Sequence, residues 1–146
     1  MLPRRDPTAR KLQIARLDDL CRRLTMIRAG AVEVKNGSRM SWLGKCERCP
    51  KRTWLQWSHF YSRAIHSTRW DMDNVHAICS GCHFAWAHHR PALFVEWMKV
   101  RLGPARYEAL ALRANPRGRG APRLDLIELY LRAELRAATR GANAAG

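Results

Sequence analysis

The chain has 146 residues, enough for one domain with a modest core and appended helices. Its 27 Lys and Arg outnumber 12 Asp and Glu, a formal charge of +15 that disfavours cationic partners and points to a polyanion, nucleic acid first. No apolar run is long enough to span a bilayer, and the N-terminal MLPRRDPTARK lacks the apolar core of a secretory signal, so a cytoplasmic chain with no membrane partner is expected.

The basic excess is spread along the chain: +7 over residues 1–45, +3 over 46–90 and +5 over 91–146. Of the basic residues 22 are Arg, whose guanidinium grips phosphate in a two-pronged way. A coding bias towards Arg is the competing explanation.

Residues 7–28 predict a helix. Asp6 suits the N-cap, Pro7 the first helical position, and Leu12, Leu17, Leu20, Leu24 and Ile27 recur at helical spacing. Cys21 falls on that apolar face as a small buried hydrophobe, and the opposite face carries Arg10, Arg16, Arg22 and Arg23. Asn36-Gly37 signals a two-residue turn and a short hairpin. TWLQWSHF (53–60) and NVHAIC (74–79) read as strands joined by a polar loop, and a helical pattern runs from about residue 80 to His89. Pro91 opens a further helix, Gly103-Pro104 breaks it, and Ala105 to Arg113 forms a short one. NPRGRGAPR (115–123) reads as a basic linker, residues 123–140 as an amphipathic helix with Leu124, Ile127, Leu131 and Leu135 on one face, and GANAAG as a disordered tail. Trp54, Trp57, Trp70, Trp86 and Trp97 are expected in the core. Three segments follow: 1–43, basic helix and hairpin; 44–113, the central unit; 114–146, linker, helix and tail.

Four of the five cysteines form two C-x-x-C pairs, Cys46 with Cys49 and Cys79 with Cys82. Each pair offers two thiolates from one tight turn, and two pairs complete a tetrahedron around a structural zinc. Four thiolates leave no open coordination position, so the chemistry falls to the residues between the pairs. His59 lies ten residues after Cys49, Asn74 five before Cys79, and His83 directly after Cys82.

The order His59, Asn74, His83 within C-x-x-C and C-x-x-C-H resembles the HNH, or ββα-metal, nucleases. SHFYSR, TRWDMDNVHAIC and RLGPARYEAL are similar to a phage subgroup, the NinG/Rap recombination nucleases, over roughly residues 44–112. The resemblance implies an α+β fold: a small zinc-clamped ββα core with flanking N- and C-terminal helices. It implies a metal-dependent DNA endonuclease in a bacterial or phage-infected cell, acting on branched recombination intermediates such as Holliday junctions. His59 would be the general base, its ordinary pKa near working pH. Asn74 would orient the His59 loop, and His83 would ligate one catalytic Mg²⁺ or Mn²⁺. Family members often carry Asp, Glu or His just before the base; here that position is Ser58, so a second ligand is sought in His66 or His76, with Asp71 and Asp73 as further options. Arg16, Arg22, Arg23, Arg63 and Arg69 are candidate phosphate contacts, and the amphipathic end helices suggest a homodimer. The competing readings are a zinc-stabilised DNA-binding module without catalysis, a less specific DNA-nicking enzyme of the same family, and RNA as the target.

Overall fold

The computed structural model describes residues 6–115, 117 and 120–145; the first five residues, Gly146, and residues 116, 118 and 119 of the expected linker lie outside them. Helix α1 spans Pro7–Arg28, matching the sequence reading at both ends. The Asp6 carboxylate accepts from the Thr8 N–H at 2.9 Å, capping an orphan donor, and Gly30 at φ +73° turns the chain out of the helix.

Strands β1 (Val32–Asn36) and β2 (Arg39–Lys45) form the expected hairpin, shifted by one residue. Asn36 pairs with Arg39, so the turn residues are Gly37 and Ser38, with Gly37 at φ +62°. Only the first turn position needs the left-handed region, which glycine enters without strain. Strand β2 crosses the expected boundary at residue 43 and pairs with β3 (Arg52–His59), which pairs with β4 (Val75–Cys79). The result is one antiparallel sheet in the order β1-β2-β3-β4. A Cβ on Gly44 would lie 2.9 Å from that of Ala31, so glycine permits the close passage of β2 beneath the end of α1.

After β4 the chain winds as a π-helical segment, Gly81–Ala87. Helix α2 (Pro91–Leu102) and helix α3 (Pro104–Ala114) meet at Gly103, φ +77°. Helix α4 spans Leu124–Ala144 and therefore runs through most of the expected disordered tail. Ala142 and Ala144 are strong helix formers, and extending an existing helix costs far less than starting one.

Strand β4 is buried along its whole length. One side of the sheet meets α1, where Leu17, Leu20, Leu24, Trp70, Val75 and Leu131 form one core. On the other side Trp86, Phe94, Met98, Leu102 and Leu110 form a second. Each fully buried Leu there contributes about 1.5–3 kcal/mol of apolar transfer. The outer edge of β4 is covered: Glu47 N–H donates to the Ala77 carbonyl at 3.0 Å, and Arg101 Nη2 to the Val75 carbonyl at 3.3 Å. Trp54 departs from expectation. It is 40% exposed, because its alternation on β3 turns it away from the flanks where Leu55 is buried.

Among the described residues no helix is long and apolar enough to cross a membrane.

Candidate functional site

The two C-x-x-C pairs come together. The sulfurs of Cys46, Cys49, Cys79 and Cys82 all lie within 4.8 Å of one another, and Cys49 Sγ and Cys79 Sγ are 3.8 Å apart. A tetrahedral zinc with bonds of about 2.3 Å has sulfur–sulfur edges of about 3.8 Å, so this donor set could hold a metal ion such as zinc. The first knuckle is closed by Cys46 N–H donating to the Lys51 carbonyl at 2.9 Å. The Cys79 N–H reaches Cys46 Sγ at 3.3 Å. Burial alone would raise the Cys46 thiol, but the N–H groups of Cys49, Cys79 and Arg48 outweigh it and bring it down to about 7. Burial pushes Cys82 up to about 12, the neighbouring sulfurs adding to it. Four thiolates cannot share so small a volume without a cation between them. Arg48 stands beside the cluster, 3.7 Å from Cys82 Sγ and stacked over Trp86 at 4.2 Å.

Asn74 is fully buried and stitches the 60–73 loop to the start of β4. Its Oδ1 accepts from Tyr61 N–H at 2.7 Å, and its Nδ2 donates to the carbonyls of Tyr61 at 3.1 Å and Thr68 at 2.9 Å. The loop so fixed carries the Arg69 carbonyl to 2.9 Å from His59 Nε2. A carbonyl only accepts, so Nε2 carries the hydrogen and Nδ1 keeps a free lone pair. Burial, joined by the charges of Arg63 and Arg69, lowers His59 to about 4. The ring sits edge-on to Trp57, with centroids 4.3 Å apart.

The sequence reading missed Asp18. Its carboxylate accepts from Arg69 Nε at 2.9 Å and Nη2 at 2.7 Å, from Trp70 Nε1 at 2.8 Å and from Arg63 Nη2 at 2.9 Å. Burial opposes its ionisation, but the bonds to Arg69 and Trp70 prevail and its pKa falls. Helix α1 thereby clamps the loop whose backbone orients His59. The one available signal was the acidic pair Asp18-Asp19 between Leu17 and Leu20 on an otherwise basic helix.

His83, in the π-helical segment, bonds Gln56 through Nδ1 at 2.7 Å, and its ring lies 5.0 Å from that of His88. Burial and His88 lower its pKa. Gln56 and His59 point to opposite faces of β3, so His83 and His59 approach the strand from opposite sides. His76 is on the Gln56 and Ser58 face, directly across from Ser58 in register. His76 is fully buried, both its ring nitrogens and Ser58 Oγ lack a hydrogen-bond partner, and burial holds its pKa well below 6.5. His66 lies elsewhere, its ring 5.6 Å from that of Trp70. Asp71 is taken up by Arg113, and Asp73 by Arg113 and Arg106.

Among the candidate phosphate contacts, Arg63 and Arg69 are tied to Asp18, Arg22 to Asp19 at 2.6 Å and Arg16 more loosely to Glu128 at 3.8 Å. Arg69 is 15% exposed and braces the loop from within. Arg23 faces solvent.

No protein-family model, no curated protein and no solved structure matches this chain.

Proposed function

We propose that the protein is a metal-dependent DNA endonuclease of the HNH type, its ββα core clamped by a structural zinc at Cys46, Cys49, Cys79 and Cys82. The observation that carries this reading is the bond from His59 Nε2 to the Arg69 carbonyl, in a loop stitched down by Asn74. It leaves Nδ1 of a neutral imidazole as the proton acceptor, at the end of a strand whose neighbouring strand runs into the cysteine clamp.

In this mechanism His59 Nδ1 takes the proton of a water that attacks the scissile phosphorus. Asn74 holds the loop and so fixes the ring, and Asp18 braces it from α1. His83, on the other side of β3 from His59, is fixed by Gln56 through Nδ1, which leaves Nε2 to meet a divalent ion, and the scissile phosphate would have to lie across the end of the strand to meet both. His76, on the same face and without other partners, is the favoured second ligand over His66. A Mg²⁺ or Mn²⁺ held there would supply charge neutralisation at the phosphate and the departing 3′ oxygen. Branched DNA as the substrate rests on the resemblance of SHFYSR and TRWDMDNVHAIC to the phage recombination nucleases.

A zinc-stabilised DNA-binding module is the second reading. Ser58 favours it, being a poor ligand where the family often has a carboxylate.

The test is cleavage of labelled linear duplex and four-way junction DNA with Mg²⁺, with Mn²⁺ and with no added divalent ion, by the wild type and His59→Ala. The expected outcome is metal-dependent cutting that falls by about 10²–10⁴ in the variant, with the junction cut faster than the duplex. Binding without cutting under every metal would establish the second reading instead.

A further inference from the structure

The arginines nearest His59, Arg63 and Arg69, are both paired with Asp18, which moves the unpaired positive charge elsewhere. Helices α1 and α4 run side by side in the same sense: Arg16 pairs with Glu128 and, further along both, Arg28 with Glu134. Between them lies a groove of about 460 Å³ with Leu20 and Leu135 among its lining residues. Its rims carry Arg23 from α1 and Arg132, Arg136 and Arg140 from α4, all exposed. Arg132 shares Glu128 with Arg16, whereas Arg23, Arg136 and Arg140 form no ion pair among the described residues.

Arg132, Arg136 and Arg140 recur every fourth residue, so they stack in one row on α4. Like charges at that spacing destabilise a bare helix, and no carboxylate row faces them across the groove. Successive members are about 6 Å apart along the helix axis, so the row spans about 12 Å. That suits a line of phosphates better than a single small anion. Arg23 is five residues from Asp18, about 140° round α1, so the groove lies on a different flank of that helix from the His59 loop.

We infer that the α1–α4 groove binds the sugar-phosphate backbone of the DNA substrate away from the cleavage point, with Arg23, Arg136 and Arg140 as its phosphate contacts. The inference rests on the DNA-enzyme reading for its ligand, but its test reads binding alone.

The full chain is titrated by fluorescence anisotropy against a labelled four-way junction over a range of KCl, without added Mg²⁺ or Mn²⁺. Arg23→Gln/Arg136→Gln/Arg140→Gln is expected to reduce the slope of log K against log salt by about 2–3, about 0.9 for each phosphate no longer neutralised. Arg39→Gln/Arg52→Gln, which removes two exposed arginines from the sheet, is the control. An unchanged slope in the triple variant overturns the inference, and so does an equal loss per arginine in the control, which would mean diffuse attraction. Arg136→Lys/Arg140→Lys, with charge retained, is expected to restore most of the slope, separating a missing charge from a damaged fold. His59→Ala is expected to bind with the wild-type slope. Failure to cut any DNA would therefore sink the nuclease reading and leave this result standing.

Discussion

His76 has an environment that stability alone does not account for. Its ring is packed edge-on against Phe94 and Trp97, with centroids 5.3 and 5.2 Å away, and neither nitrogen has a partner. An unsatisfied buried polar group costs about 1–3 kcal/mol. His76→Phe is therefore expected to stabilise the protein at neutral pH by about that much, read as a higher urea midpoint. The pH dependence has a definite sign. Burial, helped by the charges of Arg101, His59 and His83, keeps the folded His76 neutral well below 6.5, while the unfolded chain takes up the proton near 6.5. The contribution is full above that pH and is lost as pH falls through it. His59, lowered to about 4, adds to the same loss between 6.5 and about 4. The variant should show a shallower fall in stability over this window, with His59, His66 and His83, all lowered by burial, supplying what remains. If His76 also holds the catalytic ion, cleavage should drop while stability rises. A variant that is stabilised and cuts normally would remove His76 from the site.

Helix α4 is a core element. Leu131 is fully buried against α1, whereas Leu129, two residues earlier, is 65% exposed. Leu131→Ala is expected to cost about 2–5 kcal/mol and Leu129→Ala under about 0.5, by chemical denaturation of each variant. Near-equal costs would mean that α4 is only loosely docked. The buried apolar faces of α1 and α4 cover one another within one chain. The bounds of α1 were legible because Asp6-Pro7 and Gly30 are local signals of a start and a stop. The cysteine cluster was legible because the C-x-x-C spacing itself dictates two thiolates per turn. Asn74 was legible in role only through the resemblance. Asp18 was not, since its bonds to Arg69 and Trp70 span 51 and 52 residues and leave no periodicity in the sequence. The π-helical winding of Gly81–Ala87 was read as an ordinary helix, since apolar spacing over so few residues does not distinguish the two.

At the scale of the whole molecule, three small clusters of side chains meet around the sheet, and the cysteine site joins the knuckle before β3 to the end of β4. A domain of this size has a folding free energy of about 5–15 kcal/mol, and a structural zinc contributes about 10–16 kcal/mol of apparent binding energy. The two are comparable, so a zinc held by this cluster would decide whether the fold persists. Without it, four clustered sulfurs would lose their common partner, and the tie between the Cys46 knuckle and the end of β4 would loosen. Purified protein is expected to carry one zinc per chain by elemental analysis. Stripping it with a strong chelator should collapse the near-UV dichroism of the six tryptophans, and adding one equivalent of zinc should restore it. Mg²⁺ should restore nothing in that experiment, because thiolates favour the softer ion. On the proposed nuclease reading Mg²⁺ would act only afterwards, on cleavage by the refolded protein. A chelated chain that keeps its near-UV spectrum with less than about a tenth of an equivalent of zinc would show that the apolar clusters suffice, and the metal would then have to be sought for a role other than folding.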